Sequence, residues 1–296
     1  MTKLFRGTYT AVITPFTADN QIDWAAFQKI VDAQIAGGVE GIVFVGTTGE
    51  SPTLSEVEHV EVLRKSISLV NGRCKVIHGT GSNDTQTCIF FAKIAKEAGA
   101  DGQLVVNPYY NKPTQKGLFQ HFSKIADATD VPIILYNILG RTGVNLETST
   151  LLELVKQPNI RAMKEASGNL MQMMDVIRKT PDNFSVLVGD DGLTLPFMVC
   201  GGDGVISVVS NALPKSMSNY MRLCLKADWE NARKEFYKML DIMKIAFIET
   251  NPIPIKEMMS MLGYCLPEIR LPMCRPEDKS MSQITEAVKM IQQLEK

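Results

Sequence analysis

Short, near-continuous apolar runs recur along the chain at intervals of roughly 25–35 residues, and each is followed by a stretch with helical periodicity. The runs are Thr8–Phe16, Gly41–Gly46, Cys74–Gly79, Gly102–Pro108, Val131–Asn137, Ile160–Ala166, Ser185–Gly189 and Gly204–Val209. Segments such as I-V-F-V, L-V-V and P-I-I-L do not alternate polar with apolar, which is the mark of strands covered on both faces in a parallel sheet. The intervening stretches carry helix starts. Ser55 with Glu58 reads as a capping box, and Asp23 precedes W-A-A-F-Q-K-I-V as an N-cap. Strands alternating with helices predict an α/β fold, and eight such units over ~250 residues predict a closed (β/α)8 barrel. From about residue 214 helical patterns follow one another without a strand. The expected organisation is a barrel over 1–224 and a C-terminal helical segment over 225–296 packed on it.

Composition narrows the function classes. Of 296 residues, 45% are hydrophobic and 21% charged, with a net charge of -1. That balance argues against a nucleic-acid binder or an acidic-membrane binder, which carry a basic excess. No apolar stretch reaches the ~18 residues that span a bilayer. The opening M-T-K-L-F-R-G-T-Y-T shows neither an apolar signal core nor an arginine-rich transit pattern, so a cytoplasmic protein is expected. Six scattered cysteines without C-x-x-C spacing fit reduced thiols.

In such barrels the chemistry sits at the C-terminal ends of the strands. The second run ends in G-T-T-G-E (Gly46 to Glu50), the fourth in N-P-Y-Y-N-K-P with Tyr109 and Tyr110, and the fifth in Y-N-I-L-G-R-T-G with Tyr136 and Arg141. The sixth carries Lys164, the seventh ends in Gly189-Asp190-Asp191, and the eighth carries Ile206 and Ser207. Lys164 is a lone cation near the end of an apolar run. A buried ammonium must be paired or shed its proton, and a neutral amine attacks carbonyl carbon to form a Schiff base. The same residues have plainer readings: Lys164 snorkelling to solvent, Gly46 and Gly49 as turn glycines, Tyr136 as core, Arg141 as a solvated charge, and Asp190 and Asp191 as helix caps, the last being favoured. Hydroxyls, an amine and a guanidinium with few acids suit a carbonyl substrate that bears a carboxylate. His59, His78 and His121 lack metal-ligand spacing, and dinucleotide, Walker and G-x-S-x-G motifs are absent from the sequence, so no metal and no cofactor is expected.

Together, G-T-Y-T-A-V-I-T-P-F, G-T-T-G-E, P-Y-Y-N-K-P, L-Y-N-x-x-x-R-T-G, K-E-A-S-G-N, G-D-D and N-P-I-P-I-K, in this order and spacing, resemble the dihydrodipicolinate synthase and N-acetylneuraminate lyase family of pyruvate-dependent class I aldolases over essentially the whole chain. The resemblance implies that Lys164 forms an imine with pyruvate, that Tyr136 shuttles protons through Thr47 to a Tyr110 supplied by a neighbouring subunit, and that Thr48 holds the pyruvate carboxylate beside the Ile206 backbone and Gly189. Arg141 points to the synthase branch, where arginine holds the carboxylate of aspartate semialdehyde. The family also implies a homotetramer built as a pair of dimers.

Lysine-inhibited members bind the amino acid in a cleft between subunits. Ser51, His59, Asn83 and Tyr109 match that cleft, whereas Glu56 stands in place of a histidine and Thr87 in place of the glutamate that would pair with the inhibitor's amine. The resemblance therefore implies weak or absent lysine inhibition. The alternatives are another aldolase of the family acting on N-acetylneuraminate or a 2-keto-3-deoxy sugar acid, a catalytically silent keto-acid-binding barrel, and a metal-dependent aldolase on the same fold.

Overall fold

The computed structural model describes residues 3–296, so Met1 and Thr2, the start of the N-terminal stretch read above, lie outside the described residues. Each of the eight apolar runs overlaps a strand: β1 (Gly7–Ala11), β2 (Gly41–Phe44), β3 (Lys75–Gly79), β4 (Gly102–Val106), β5 (Ile133–Asn137), β6 (Ile160–Glu165), β7 (Ser185–Val188) and β8 (Gly204–Ser207). They pair in parallel in chain order, and β8 pairs back to β1 to close the barrel. The helices are α1 (Trp24–Ala36), α2 (Glu56–Val70), α3 (Thr85–Ala98), α4 (Gln115–Asp127), α5 (Leu139–Thr142), α6 (Thr148–Leu154), α7 (Leu170–Lys179), α8 (Thr194–Val199), α9 (Pro214–Leu225), α10 (Trp229–Ile245), α11 (Ile253–Met261) and α12 (Asp278–Leu294).

The local signals are used as the sequence implies. Asp23 caps α1 by accepting from Ala26 N. Ser55 and Glu58 form a reciprocal capping box on α2. β1 is shorter than its apolar run: after Ala11 the chain turns out across the barrel mouth, Pro15 has no N–H for a ladder, and Phe16 makes an isolated antiparallel bridge with Ile22. Four-residue α5, which carries Arg141, is too short to show periodicity.

Two cores follow from strand alternation. Side chains pointing outward from the strands, such as Ile42, Phe44, Leu135 and Met163, pack under the helices. Inward-pointing Tyr9, Val43, Ile77, Leu104, Ile134, Ala162, Leu187 and Ile206 fill the barrel, so the interior is packed and not a pore. Period-two alternation along β6 then puts Lys164 inward above Ala162 and turns Glu165 outward. Helix α10 packs on α8, α9 and α12, and α11 on α12. Among the described residues no helix is long and apolar enough to cross a membrane.

Candidate active site

The amine side of the barrel mouth is made by β5, β6 and β7. Tyr136 pairs in register with Lys164, and Lys164 with Leu187. Both Tyr136 and Lys164 are 5% exposed. The Lys164 Nζ lies 4.2 Å from the centroid of the Tyr136 ring, within cation–π reach, and among the described residues it has no carboxylate partner. Gly189 makes room for it: a Cβ there would lie 2.6 Å from Lys164 Cε and 2.8 Å from Ala166 Cβ. The structure thus gives Gly189 a definite task, clearing the path of the lysine stem.

Behind this side, a network of amides braces the strand ends. Buried Glu165 accepts from Asn137 Nδ2 (3.0 Å), Gln172 Nε2 (3.2 Å) and Ser167 N (2.6 Å). Asn107 Nδ2 donates to Asn137 Oδ1 at 2.9 Å, Asn137 Nδ2 to Asn145 Oδ1 at 2.9 Å, and Asn145 Nδ2 to Gln172 Oε1 at 2.9 Å. β4, β5, β6 and α7 are fixed to one another without a lysine or arginine.

The opposite side is the G-T-T-G-E turn after β2. It is bracketed by two residues with left-handed backbone, Val45 (φ 55°) and Glu50 (φ 56°). A β-branched residue there is strained, and strain of this kind persists only where neighbours impose it. Gly79 makes room for Val45, because a Cβ there would come within 2.2 Å of Val45 O. Inside the turn the amides of Gly49 and Ser51 donate to Gly46 O and that of Glu50 to Thr47 O, so the turn's own hydrogen bonds use neither the Thr47 nor the Thr48 amide. Thr14 Oγ1 donates to Gly49 O at 2.7 Å.

This turn is held from the far end of the chain. Glu50 and Lys256, 0% and 1% exposed, form a buried ion pair, and Glu50 also accepts from Arg270 N at 3.0 Å. Burial pulls the Lys256 ammonium down while Glu50 pushes it back up. Arg270 grips Glu58 with two nitrogens (2.5 and 2.9 Å), and its guanidinium holds the Glu58 carboxyl down at about 2. Lys256 and Arg270 both lie over the Phe16 ring, at 4.1 and 4.2 Å. Asn251 Nδ2 donates to Thr48 Oγ1 (3.0 Å), and Arg141 Nη2 donates to Asn251 O (2.8 Å).

Between the two sides lies a cavity of about 230 Å³ lined by Thr47, Tyr136, Arg141, Ser51 and Tyr109, with Val45, Gly79, Leu104, Val106 and Ile138 as apolar walls. Lys164 and Thr48 lie outside this lining set, the former packed on Tyr136 and the latter bonded to Asn251. Ile206 is fully buried with its side chain in the barrel interior. Asp190 caps the turn that follows β7 by accepting from Gly192 N, as the cap reading expects. Asp191 does something else: it is buried, and its Oδ2 accepts from Val208 N (2.9 Å) and Val209 N (3.1 Å), tying β7 to the end of β8. Burial pushes its carboxyl up, against the pull of Ser207 and those amides.

Tyr110 is not brought to the cavity. It is 89% exposed at φ 71°, pointing away from the chain that carries it. Of the residues matched to the effector cleft, Ser51 and Tyr109 line the cavity, and the Asn83 carbonyl accepts from Asn111 Nδ2. His59 is buried behind the cavity wall: its ring stacks on Phe91 (3.9 Å between centroids) and its Nε2 lies 2.9 Å from the carbonyl oxygen of Gly79. A carbonyl only accepts, so Nε2 carries the proton. Burial holds His59 down at about 4. The Thr87 hydroxyl donates to Asp84 at the start of α3. Among the described residues no group of three or more His, Cys, Asp or Glu is placed to hold a metal.

An inward amine beside a phenol, facing a tight glycine turn and a guanidinium, can bind a keto acid and form an imine in a partly apolar chamber. Sequence reasoning missed Asn251 and Glu165 as supports, although both stand inside quoted motifs, N-P-I-P-I-K and K-E-A-S-G-N.

Comparison with known proteins gives the family of the chain. A model of the dihydrodipicolinate synthetase family matches residues 4–291. The chain is 53% identical to 4-hydroxy-tetrahydrodipicolinate synthase from Leptospira biflexa over 91% of this chain and 92% of the relative. It is 50% identical to the enzyme of that name from Endomicrobium trichonymphae, over 97% and 98%. It superposes on the crystal structure of dihydrodipicolinate synthase from Aquifex aeolicus with a TM-score of 0.95 at 42% identity, covering 96% of this chain and 97% of the other. A single-chain barrel with the inward lysine, the glycine turn and a family match over nearly its full length belongs to the dihydrodipicolinate synthetase family.

Proposed function

We propose that the chain condenses pyruvate with L-aspartate 4-semialdehyde to 4-hydroxy-tetrahydrodipicolinate, an early step of lysine and diaminopimelate biosynthesis, by Schiff-base chemistry. The observation that carries the reading is the buried Lys164 beside Tyr136, set opposite the G-T-T-G turn in a chain 53% identical to a synthase of that name. In this reading the Lys164 amine adds to the keto carbon and water leaves, giving the imine. Loss of a methyl proton gives the enamine, whose carbon attacks the aldehyde and forms the new C–C bond. The substrate's own amine then displaces Lys164 by transimination and closes the ring. Thr48 and the turn amides hold the pyruvate carboxylate, an arrangement that a nest of backbone N–H groups favours. Arg141 takes the second carboxylate, where its fork is better suited than an ammonium. Tyr136 moves the protons, relayed through Thr47.

Tyr110 completes that relay only from another subunit, so the reading includes a homo-oligomer, a tetramer of paired dimers; its exposure and left-handed backbone support this. A cytoplasmic setting, and weak or absent inhibition by lysine owing to Glu56 and Thr87, belong to the same proposal. So does a division into the barrel, 1–224, and a segment 225–296 that straps the G-T-T-G turn. The test is a coupled assay with pyruvate and L-aspartate 4-semialdehyde, with and without lysine. Turnover with little response to lysine is expected. Failure to turn over while a pyruvate imine still forms would move the substrate to another aldehyde or to N-acetylneuraminate cleavage.

A further inference from the structure

Thr48 Oγ1 has one proton to give and accepts from the Asn251 amide at 3.0 Å. Asn251 is 5% exposed, and its Oδ1 has no hydrogen-bond partner among the described residues. The backbone of the same residue holds Arg141, through Asn251 O.

We propose that Asn251 is a positioning residue: by donating to Thr48 Oγ1 it turns the Thr48 hydroxyl proton toward the carboxylate of the keto-acid substrate. The proposal rests on the reading of Thr48 as the hydroxyl that holds that carboxylate. The side chain serves the keto acid, while the main-chain carbonyl, which no substitution removes, serves Arg141 and the aldehyde.

The experiment compares Asn251→Asp, Asn251→Ala, Thr48→Val and the Asn251→Ala/Thr48→Val double variant with the native protein. The readouts are KM for each substrate, borohydride trapping with pyruvate, and the melting temperature. Asn251→Asp, which can only accept when ionised, is expected to raise pyruvate KM by about tenfold or more. Asn251→Ala should raise it less, and the double variant should be no worse than Thr48→Val alone. The aldehyde KM should move by less than about twofold. A native pyruvate KM in Asn251→Asp, additive losses in the double variant, or equal losses for both substrates with a lowered melting temperature would each overturn the proposal. If the native protein traps no pyruvate imine, the reading of the site fails first and takes this inference with it.

Discussion

The two halves of the barrel mouth are built by different means. The amine side, around Lys164, is braced by neutral amides from β4, β5, β6 and α7, all within residues 107–172 and converging on Glu165. The turn side, around Thr47 and Thr48, contains the strained Val45 and is braced by charges and an amide that arrive from residues 251–270. Local strand pairing fixes the direction of the buried amine, while the Glu165 carboxylate is taken up by amides on the other face of β6. The G-T-T-G turn leaves the Thr47 and Thr48 amides out of its own hydrogen bonds, and its bracing comes from outside the turn. Here the supplier is the C-terminal segment, which makes that segment part of the site.

Several substitutions would break or sharpen this contrast. Lys164→Ala should abolish imine formation and lower kcat by several orders of magnitude with the melting temperature nearly unchanged; trappable imine at another lysine would refute the role. On the other side, Lys256→Met should leave Glu50 buried and unpaired and cost about 3–5 kcal/mol in urea unfolding, whereas Glu50→Leu/Lys256→Met together should recover most of that stability. If the single variant lost under about 1 kcal/mol, the strap would not be holding the turn. Gly189→Ala should displace the lysine stem, lowering kcat by at least tenfold while pyruvate KM changes little, because the added methyl meets Lys164 Cε and not the glycine turn. Glu165→Leu should cost about 1–3 kcal/mol by stranding the Asn137 and Gln172 amides, with kcat falling more than pyruvate KM rises.

The smallest effect concerns pH. Burial lowers His59 and His121 to about 4 and His78 to about 3. The unfolded chain, with histidines near ~6.5, binds protons before the folded one does. Their contribution is therefore complete above pH ~6.5 and is lost as pH falls toward 4, by up to about 1.4 kcal/mol per pH unit for each titrating proton. The raised carboxyls of Glu40 and Asp191 act in the opposite sense on acidification, so the clean measurement is a difference. Replacing His59 with Gln should flatten the fall in urea midpoint between pH 6.5 and 4.5; an unchanged slope would contradict the assignment.

Much of this was legible in the sequence because it is periodic. Eight apolar runs gave the strands, and a lone cation near the end of the sixth singled out Lys164. Turn and cap chemistry gave Ser55, Asp23 and Asp190. What stayed hidden was long-range or conformational. Nothing around Glu50 announces that its partner is Lys256, since the pair is made by chain return. The left-handed backbone at Val45 contradicts its own propensity, and Gly79 across the ladder leaves room for it. Asp191, adjacent to a true cap, works instead on the next strand because the inward-turning chain buries it. His59 matches a cleft pattern by position, yet packing on Phe91 decides where its ring goes. Tyr110 is exposed on its own chain, so no contact within one chain fixes what its ring touches.

The most direct measurement of the central claim is borohydride reduction in the presence of pyruvate, followed by peptide mapping of the modified lysine. A single adduct is expected, on Lys164, and it should be lost in Lys164→Ala. No adduct, or one on a lysine outside β6, would contradict the claim.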